Sequence, residues 1–216
     1  MPDPAQPPLL PARSCRVARN ASPTEGPAGS LSVMSTGSLA GRLLIASATL
    51  SDPNFVRSVV LIGVHDNDGA MGLVLNRPSG TEVGEAVPQL EELVAEREPV
   101  FVGGPVRATT IVLLAEFLDP SLAGLLVVGR IGLPAPDAAL GDVAQATARR
   151  RVFAGYAGWG QGQLDAEVKQ GDWITGDALP DDVFTEAPLE LWSQVLTRKG
   201  GQYALLARMP LDPSLN

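Results

Sequence analysis

The chain has 216 residues, 45% of them hydrophobic, and a formal charge of −8, which suits one substantial core and excludes a wholly disordered protein. Pro, Gly, Asp or Arg breaks every apolar run short of the roughly 18 residues a membrane span needs. No charged segment leads into an apolar one at the N-terminus, which points away from a secretory signal and toward the cytoplasm.

One cysteine, Cys15, and one histidine, His65, exclude an intramolecular disulfide and the usual zinc sites. No metal or cofactor is expected. Arg13, Arg16 and Arg19 against Asp3 and Glu25 leave residues 1–36 at +1 and the remainder at −9. So acidic a surface repels phosphate backbones, and direct DNA binding is not expected.

Residues 1–36 repeat Pro, Ser, Ala and Gly without periodicity, which predicts a disordered extension before a single domain over 37–216. Met34 offers a second start site, which N-terminal peptide mapping would test. GRLLIAS reads as a strand, TLSDPNF as a loop, and RSVVLIGV as a strand buried on both faces. HDNDG then joins RSVVLIGV to AMGLVLN as a hairpin, with Asp66 and Asp68 as turn formers.

The spacing of Val83, Ala86, Val87, Leu90, Leu93 and Val94 predicts a helix over 82–97, kinked or restarted at Pro88. PVFVGGPV is a strand ending in a Gly-Gly-Pro turn, and TTIVLLAEFL and GLLVVGRIGL are two further strands, the second cut by glycines. PDAALGDVAQATARR reads as a helix, which places Arg149, Arg150 and Arg151 about its C-terminus, where they would complement the helix dipole.

RVFAGY is a strand that should turn at Gly158, with QLDAEVKQ as the helix beyond. DWITGDA is a short strand and DDVFT a turn or single helical turn. PLELWSQVLTRKG is a helix ending at Gly200, with Leu189, Trp192 and Leu196 on one face. The mixture of hairpins and scattered helices predicts an α+β class, a mixed sheet covered by helices.

Chemistry-bearing residues gather in few places. Glycines at 155, 158, 160 and 162 surround Tyr156 and Trp159 ahead of a helix N-terminus, a geometry able to hold an anion or carboxylate. Yet GYAGWGQG is neither a phosphate loop nor a dinucleotide fingerprint, since no Lys-Ser/Thr pair follows and the spacing differs. The structural reading has Tyr156 and Trp159 buried against the sheet while the glycines turn the chain.

Any Ser-His or Cys-His catalysis would require His65, but no nucleophile elbow is present. Arg77, in LNRPSG, is a lone cation at a strand end, suited to a carboxylate. Asp165 and Glu167 are two apart and diverge on a helix, which weakens a paired-carboxylate scheme. No catalytic apparatus assembles from these parts.

GRLLIAS, SDPNFVRSVVLI, HDNDGAMGLVLNRP, VFVGGPV and VFAGYAGWGQGQLDAEV occur in the order found in the YqgE/AlgH family of bacterial proteins, which the chain resembles over residues 39–216. The ending, with DALPDDVFT, LWSQVLTRKGG and YALLARMPLDPSLN, is similar to the actinobacterial branch. The resemblance implies a cytosolic protein with a single α+β domain built on a complex, bifurcated sheet. It also implies a link, by family name, to transcriptional regulation, with no assigned reaction, cofactor or DNA-reading element.

The family's motif positions fall here on Asp52, Pro53, Phe55, His65, Asn76, Arg77, Pro78, Gly103, Gly104, Pro105, Gly155, Tyr156, Gly158, Trp159, Gly160, Gln163 and Leu164. The chain departs from the pattern in its N-terminal extension and in Asp165, where Glu often follows Gly-Gln-Leu.

Two functions follow as expectations. The first is a non-enzymatic regulatory protein acting indirectly on transcription through a protein partner. The second is a small-molecule binding protein or enzyme, with a pocket near Arg77 and Trp159. The candidate binding surface comprises His65, Asn76, Arg77, Gly103, Gly104, Tyr156, Trp159 and Gln163.

Overall fold

Leu43 to Ala46 form a run with no polar face, and in the computed structural model, which describes residues 37–209, they lie inside β1 (Arg42–Ala46). Leu43 and Ile45 enter one core cluster, Leu44 and Ala46 another. β2 (Val59–Asp66) repeats the division, with Val59 and Leu61 on one side and Val60 and Ile62 on the other. Both strands are therefore buried on both faces, as the near-continuous apolar runs required. Each such Leu or Ile contributes roughly 1.5–3 kcal/mol of burial.

The predicted hairpin joins β2 to β3 (Gly69–Val74), and Asp66 Oδ1 accepts from the amide of Asp68 across the turn. Then come β4 (Pro78–Glu82), α1 (Val83–Ala86), β5 (Pro99–Val102), β6 (Val106–Phe117), β7 (Leu125–Val128), β8 (Ile131–Leu133), α2 (Leu140–Ala146) and β9 (Thr147–Gly160). α3 (Gln163–Gln170), β10 (Trp173–Asp177), α4 (Pro180–Val183), α5 (Leu191–Lys199) and α6 (Gly201–Leu206) complete the order. No helix among the described residues is long and apolar enough to cross a membrane.

The strands form one α+β sheet in the order β10-β1-β2-β3-β9-β6-β8-β7, and β5 joins it beside β9 while carrying β4. All neighbours are antiparallel except β5 and β9. α5 and α6 cover one face over Leu43, Phe101 and Phe153, α3 covers the other over Ala157 and Trp159, and α1 and α2 close a third cluster around Val152.

The fork in the sheet lies on β9. One edge pairs with β6 from Thr147 to Tyr156, while the opposite edge pairs first with β5 at Phe153 and Ala154 and then with β3 from Ala157 to Gly160. β5 and β6 thus straddle β9, and residues 103–105 must carry the chain across its backbone. At the crossing the Gly103 amide donates to Ala154 O and Gly103 O accepts from the Val74 amide.

Gly104 has φ +152, and a Cβ there would collide with the Tyr156 carbonyl. Gly155 has φ +70, and its Cβ would lie 2.6 Å from Gly104 O. Only glycine fits either position. The left-handed residue at 155 also resets the alternation of β9, so Phe153 and Tyr156 both join the α5 side while Ala157 and Trp159 face α3.

Several expectations need correction. The helix over 82–97 is the single turn α1 followed, at Pro88, by a 3-10 segment (Pro88–Leu93). GLLVVGRIGL is two strands, since Gly129 adopts φ +57 between β7 and β8. The helix over 136–150 occupies only Leu140–Ala146, and Arg149, Arg150 and Arg151 lie in β9.

Partners distant in sequence hold Arg149 and Arg151, while Arg150 donates to Ala144 O and Thr147. Arg149 meets Glu116 at 2.7 Å and Asp181 at 2.9 Å, which raise its pKa. Arg151 donates to Val183 O and Thr185 O and lies 4.3 Å over the Phe101 ring. Burial pulls its pKa down, and Glu98 acts against that.

β9 continues as strand past Gly158 to Gly160, so the turn falls two residues later than predicted. Leu189 lies on a 3-10 turn before α5 and is 79% exposed, while Leu191, Trp192, Val195 and Leu196 make the buried face. α6 has no counterpart among the predicted elements. The expected extension over 1–36 and the second start at Met34 lie outside the described residues.

Candidate functional site

The residues singled out in sequence fall into two groups. Asn76 and Arg77, just beyond β3, hold the loop that precedes β2. Asn76 Oδ1 accepts from the Val59 amide and its Nδ2 donates to Arg57 O, both at 2.9 Å. Arg77 donates to Pro53 O and Val56 O. Burial lowers the Arg77 pKa, against which the nearby Asp52 carboxylate acts.

Asp52 organises the loop further, taking the Asn54 amide on Oδ1 and the Phe55 and Val56 amides on its carbonyl. This brings Phe55 onto Trp159, stacked at 6.2 Å between ring centres, and edge-on to Trp173 at 5.5 Å.

α3 closes over this cluster. Glu167 Oε2 accepts both indole N–H groups, from Trp159 and from Trp173, each at 2.9 Å. Gln163 Nε2 donates to Glu167 Oε1, and Gln163 Oε1 accepts from the Gly160 amide. A single carboxylate thus satisfies two buried indoles, and α3 is pinned to β9 and β10 at once. Glu167 was not among the candidate residues, although its i, i+4 spacing from Gln163 was a signal available in the sequence.

His65 stands opposite Ala70 in β3, and Ala70 stands opposite Trp159 in β9, so His65 and Trp159 share a sheet face. Its Nδ1 accepts from the Leu39 amide at 3.0 Å, which in the neutral imidazole leaves the proton on Nε2, 3.7 Å from Asp165 Oδ2. His65, Asp66, Asp165, Gly37 and Ser38 line a cleft of about 210 Å³. Asp165 and Glu167 do diverge: one faces His65 and the other the tryptophans.

The structure therefore joins Asn76, Arg77 and Trp159 through the 52–58 loop, ties Gln163 to Trp159 through Glu167, and places His65 on the sheet face of Trp159. It leaves Gly103, Gly104 and Tyr156 apart, at the crossing over β9. Among the described residues no three His, Cys, Asp or Glu side chains converge with a metal's geometry.

A second surface was absent from the sequence reading. Leu118, Leu122, Leu125 and Leu140 are each between 39% and 57% exposed. Leu122 lines a groove of about 340 Å³ with Phe117, Pro134, Ala138, Asp142, Val143 and Gln145. Asp142, in that lining, is exposed, and Arg130 is spent on the carbonyls of Phe117 and Leu118. β7, at the end of the sheet order, pairs only with β8 among the described strands. A groove with apolar residues and an exposed leucine in its lining has the make-up of a docking face.

The fold and these two surfaces define a single α+β domain built on a forked sheet. The profile of the AlgH-like family matches residues 43–204, and the chain belongs to that family. A UPF0301 protein of Streptomyces coelicolor is 42% identical over 185 residues, covering 83% of this chain and 96% of the relative. A crystal structure from Corynebacterium diphtheriae superposes with TM-score 0.72 at 26% identity, over 77% of this chain and 90% of that one. The solution structure of AlgH from Pseudomonas aeruginosa superposes with TM-score 0.60 at 31% identity, over 82% and 97%.

Proposed function

We propose that this chain is a non-enzymatic regulatory protein of the cytosol that acts through a protein partner, with its influence on transcription exerted indirectly. The observation that supports this reading is a contrast in how side chains are spent. Asn76, Arg77, Trp159, Gln163 and Glu167 are bonded to the chain's own backbone or to one another, whereas Leu122, in the groove between α2 and the end of β6, stands exposed in the described domain together with Leu118, Leu125 and Leu140. Apolar surface left open in that way is what a partner buries.

Native mass spectrometry of the protein purified gently from its own cells tests the reading. A protein adduct is expected, and it should disappear in a Leu122→Asp, Leu140→Asp double variant that keeps its melting temperature. A stoichiometric small-molecule adduct, or a salt-sensitive and sequence-selective shift of promoter DNA by the protein alone, would overturn it.

A further inference from the structure

We propose that His65 is a proton-operated latch on residues 37–40, the segment that leads into β1: the neutral imidazole holds the segment down and the imidazolium releases it. The latch goes beyond the partner reading and uses none of the residues on which that reading stands.

The bond that closes the latch exists in one protonation state only. Leu39 donates its amide to His65 Nδ1 at 3.0 Å, and the imidazole is 8% exposed. An imidazolium carries hydrogen on both ring nitrogens and accepts nothing. A proton on Nδ1 would set two donors head to head, and one of them must withdraw. His65 is fixed in the β2–β3 ladder opposite Ala70, so the segment is the part that yields. Imidazole is the side chain that ordinarily changes charge between about pH 5 and 8.

Little else ties the segment to the sheet. Ser38 Oγ donates to the His65 carbonyl at 2.9 Å, while the Ala40 and Arg42 amides make local bonds, to Ser38 Oγ and Leu39 O. Firm attachment resumes at Gly41, whose amide reaches Ile62 O at 2.8 Å. The half-buried Leu39 side chain packs on the cluster that contains Ala70, Ala157 and Trp159. Release therefore uncovers part of an apolar face.

The surroundings are ready to receive the charge. Asp165 of α3 stands 3.7 Å from Nε2, Asp66 follows in β2, and Asp68 lies in the next turn. The facing residues of β3 and β9 are the uncharged Ala70 and Trp159, and residues 37–40 bring no charge. Glu167, further along α3, is committed to Trp159, Trp173 and Gln163. Gly37, Ser38, Asp66, Asn67 and Asp165 line the cleft with His65, and none is a cation. Protonation thus exchanges partners: the Leu39 amide is lost, and Asp165 gains a charge-assisted donor. The same geometry rules His65 out as a metal ligand or general base in the closed form, because the neutral ring spends its one free lone pair on Leu39.

Amide exchange read residue by residue by NMR on the full chain, at about pH 7.5 and about pH 5.5 and corrected for the intrinsic effect of pH, tests the latch. Protection at Leu39 should fall about ten-fold on acidification, the ratio expected when a proton binds only the opened form. Leu44 and Val60, in the core, should keep theirs. His65→Asn leaves an acceptor near the Nδ1 position that does not titrate, and should abolish the change. Asp165→Asn removes the partner of the charged form and should move the midpoint of release to lower pH.

Equal protection at both pH values, a fall that persists in His65→Asn, or a parallel fall at Leu44 and Val60 would overturn the latch. So would imidazole nitrogen shifts that place the neutral ring's proton on Nδ1. An unmoved midpoint in Asp165→Asn would overturn the exchange of partners.

Discussion

The two ends of the sheet treat polar and apolar groups in opposite ways. Under α3, buried donors find acceptors inside the domain, and one carboxylate, Glu167, holds two tryptophans and a glutamine. Beside α2, the sheet runs out through the short strands β8 and β7, and leucines stand in the open. The comparison teaches that the most distinctive sequence, the Gly/Trp segment, builds architecture, while ordinary leucines supply the uncovered surface.

The strongest way to break both ends at once is Gly104→Ala or Gly155→Ala. Either Cβ would press against backbone at the crossing in a conformation that L residues rarely adopt. A loss well above about 3 kcal/mol is expected, a large share of a typical domain's stability. Denaturant unfolding, or simple failure to recover folded protein, would register it.

At the α3 end, Glu167→Ala should cost about 2–5 kcal/mol, because two indole N–H groups lose their acceptor together. Glu167→Gln, which keeps one carbonyl oxygen, should recover much of it. Equal losses in the two variants would mean that the charge, rather than the acceptor, holds the cluster. Near-ultraviolet circular dichroism of the tryptophans would report the loosening independently.

Asn76→Ala sharpens the same comparison with a smaller effect, about 1–3 kcal/mol, by leaving the Val59 amide without its acceptor. Hydrogen exchange should then rise first at Val59 and Val60. Leu122→Asp, at the α2 end, should change stability by no more than about 0.5 kcal/mol in thermal unfolding. A large loss there would show that the groove is part of the core.

Much of the architecture was legible because periodicity and turn chemistry agreed with tertiary packing. The hairpin around Asn67 and Asp68, the doubly buried run of β2, α3 and α5 all carried local signals that nothing opposed. Residues 147–151 did not: their helix-compatible pattern was overridden by Glu116, Asp181 and the carbonyls of Val183 and Thr185, all distant in sequence. Gly158 looked like a turn because it is a glycine, yet pairing with Met71 keeps it in the strand.

The candidate site was legible as a list of residues but not as a set of bonds. Spacing alone could not tell that Arg77 would be taken up by Pro53 and Val56, or that Phe55 would bridge to Trp159. The exposed leucines were invisible for a different reason. Leu122 and Val143 are both aliphatic residues in short apolar stretches and look alike in one dimension, yet the first is exposed and the second buried.

The crossing over β9 also orders events in time. β5 and β6, joined by only residues 103–105, are both complete by Phe117, whereas β9, the strand between them, runs from Thr147 to Gly160 and is made later. Until then neither strand has its β9 partner. Insertion of a distant segment between two already connected neighbours is the kind of non-local step that slows folding and exposes unpaired edges. The sheet therefore closes only when its most distant central strand arrives.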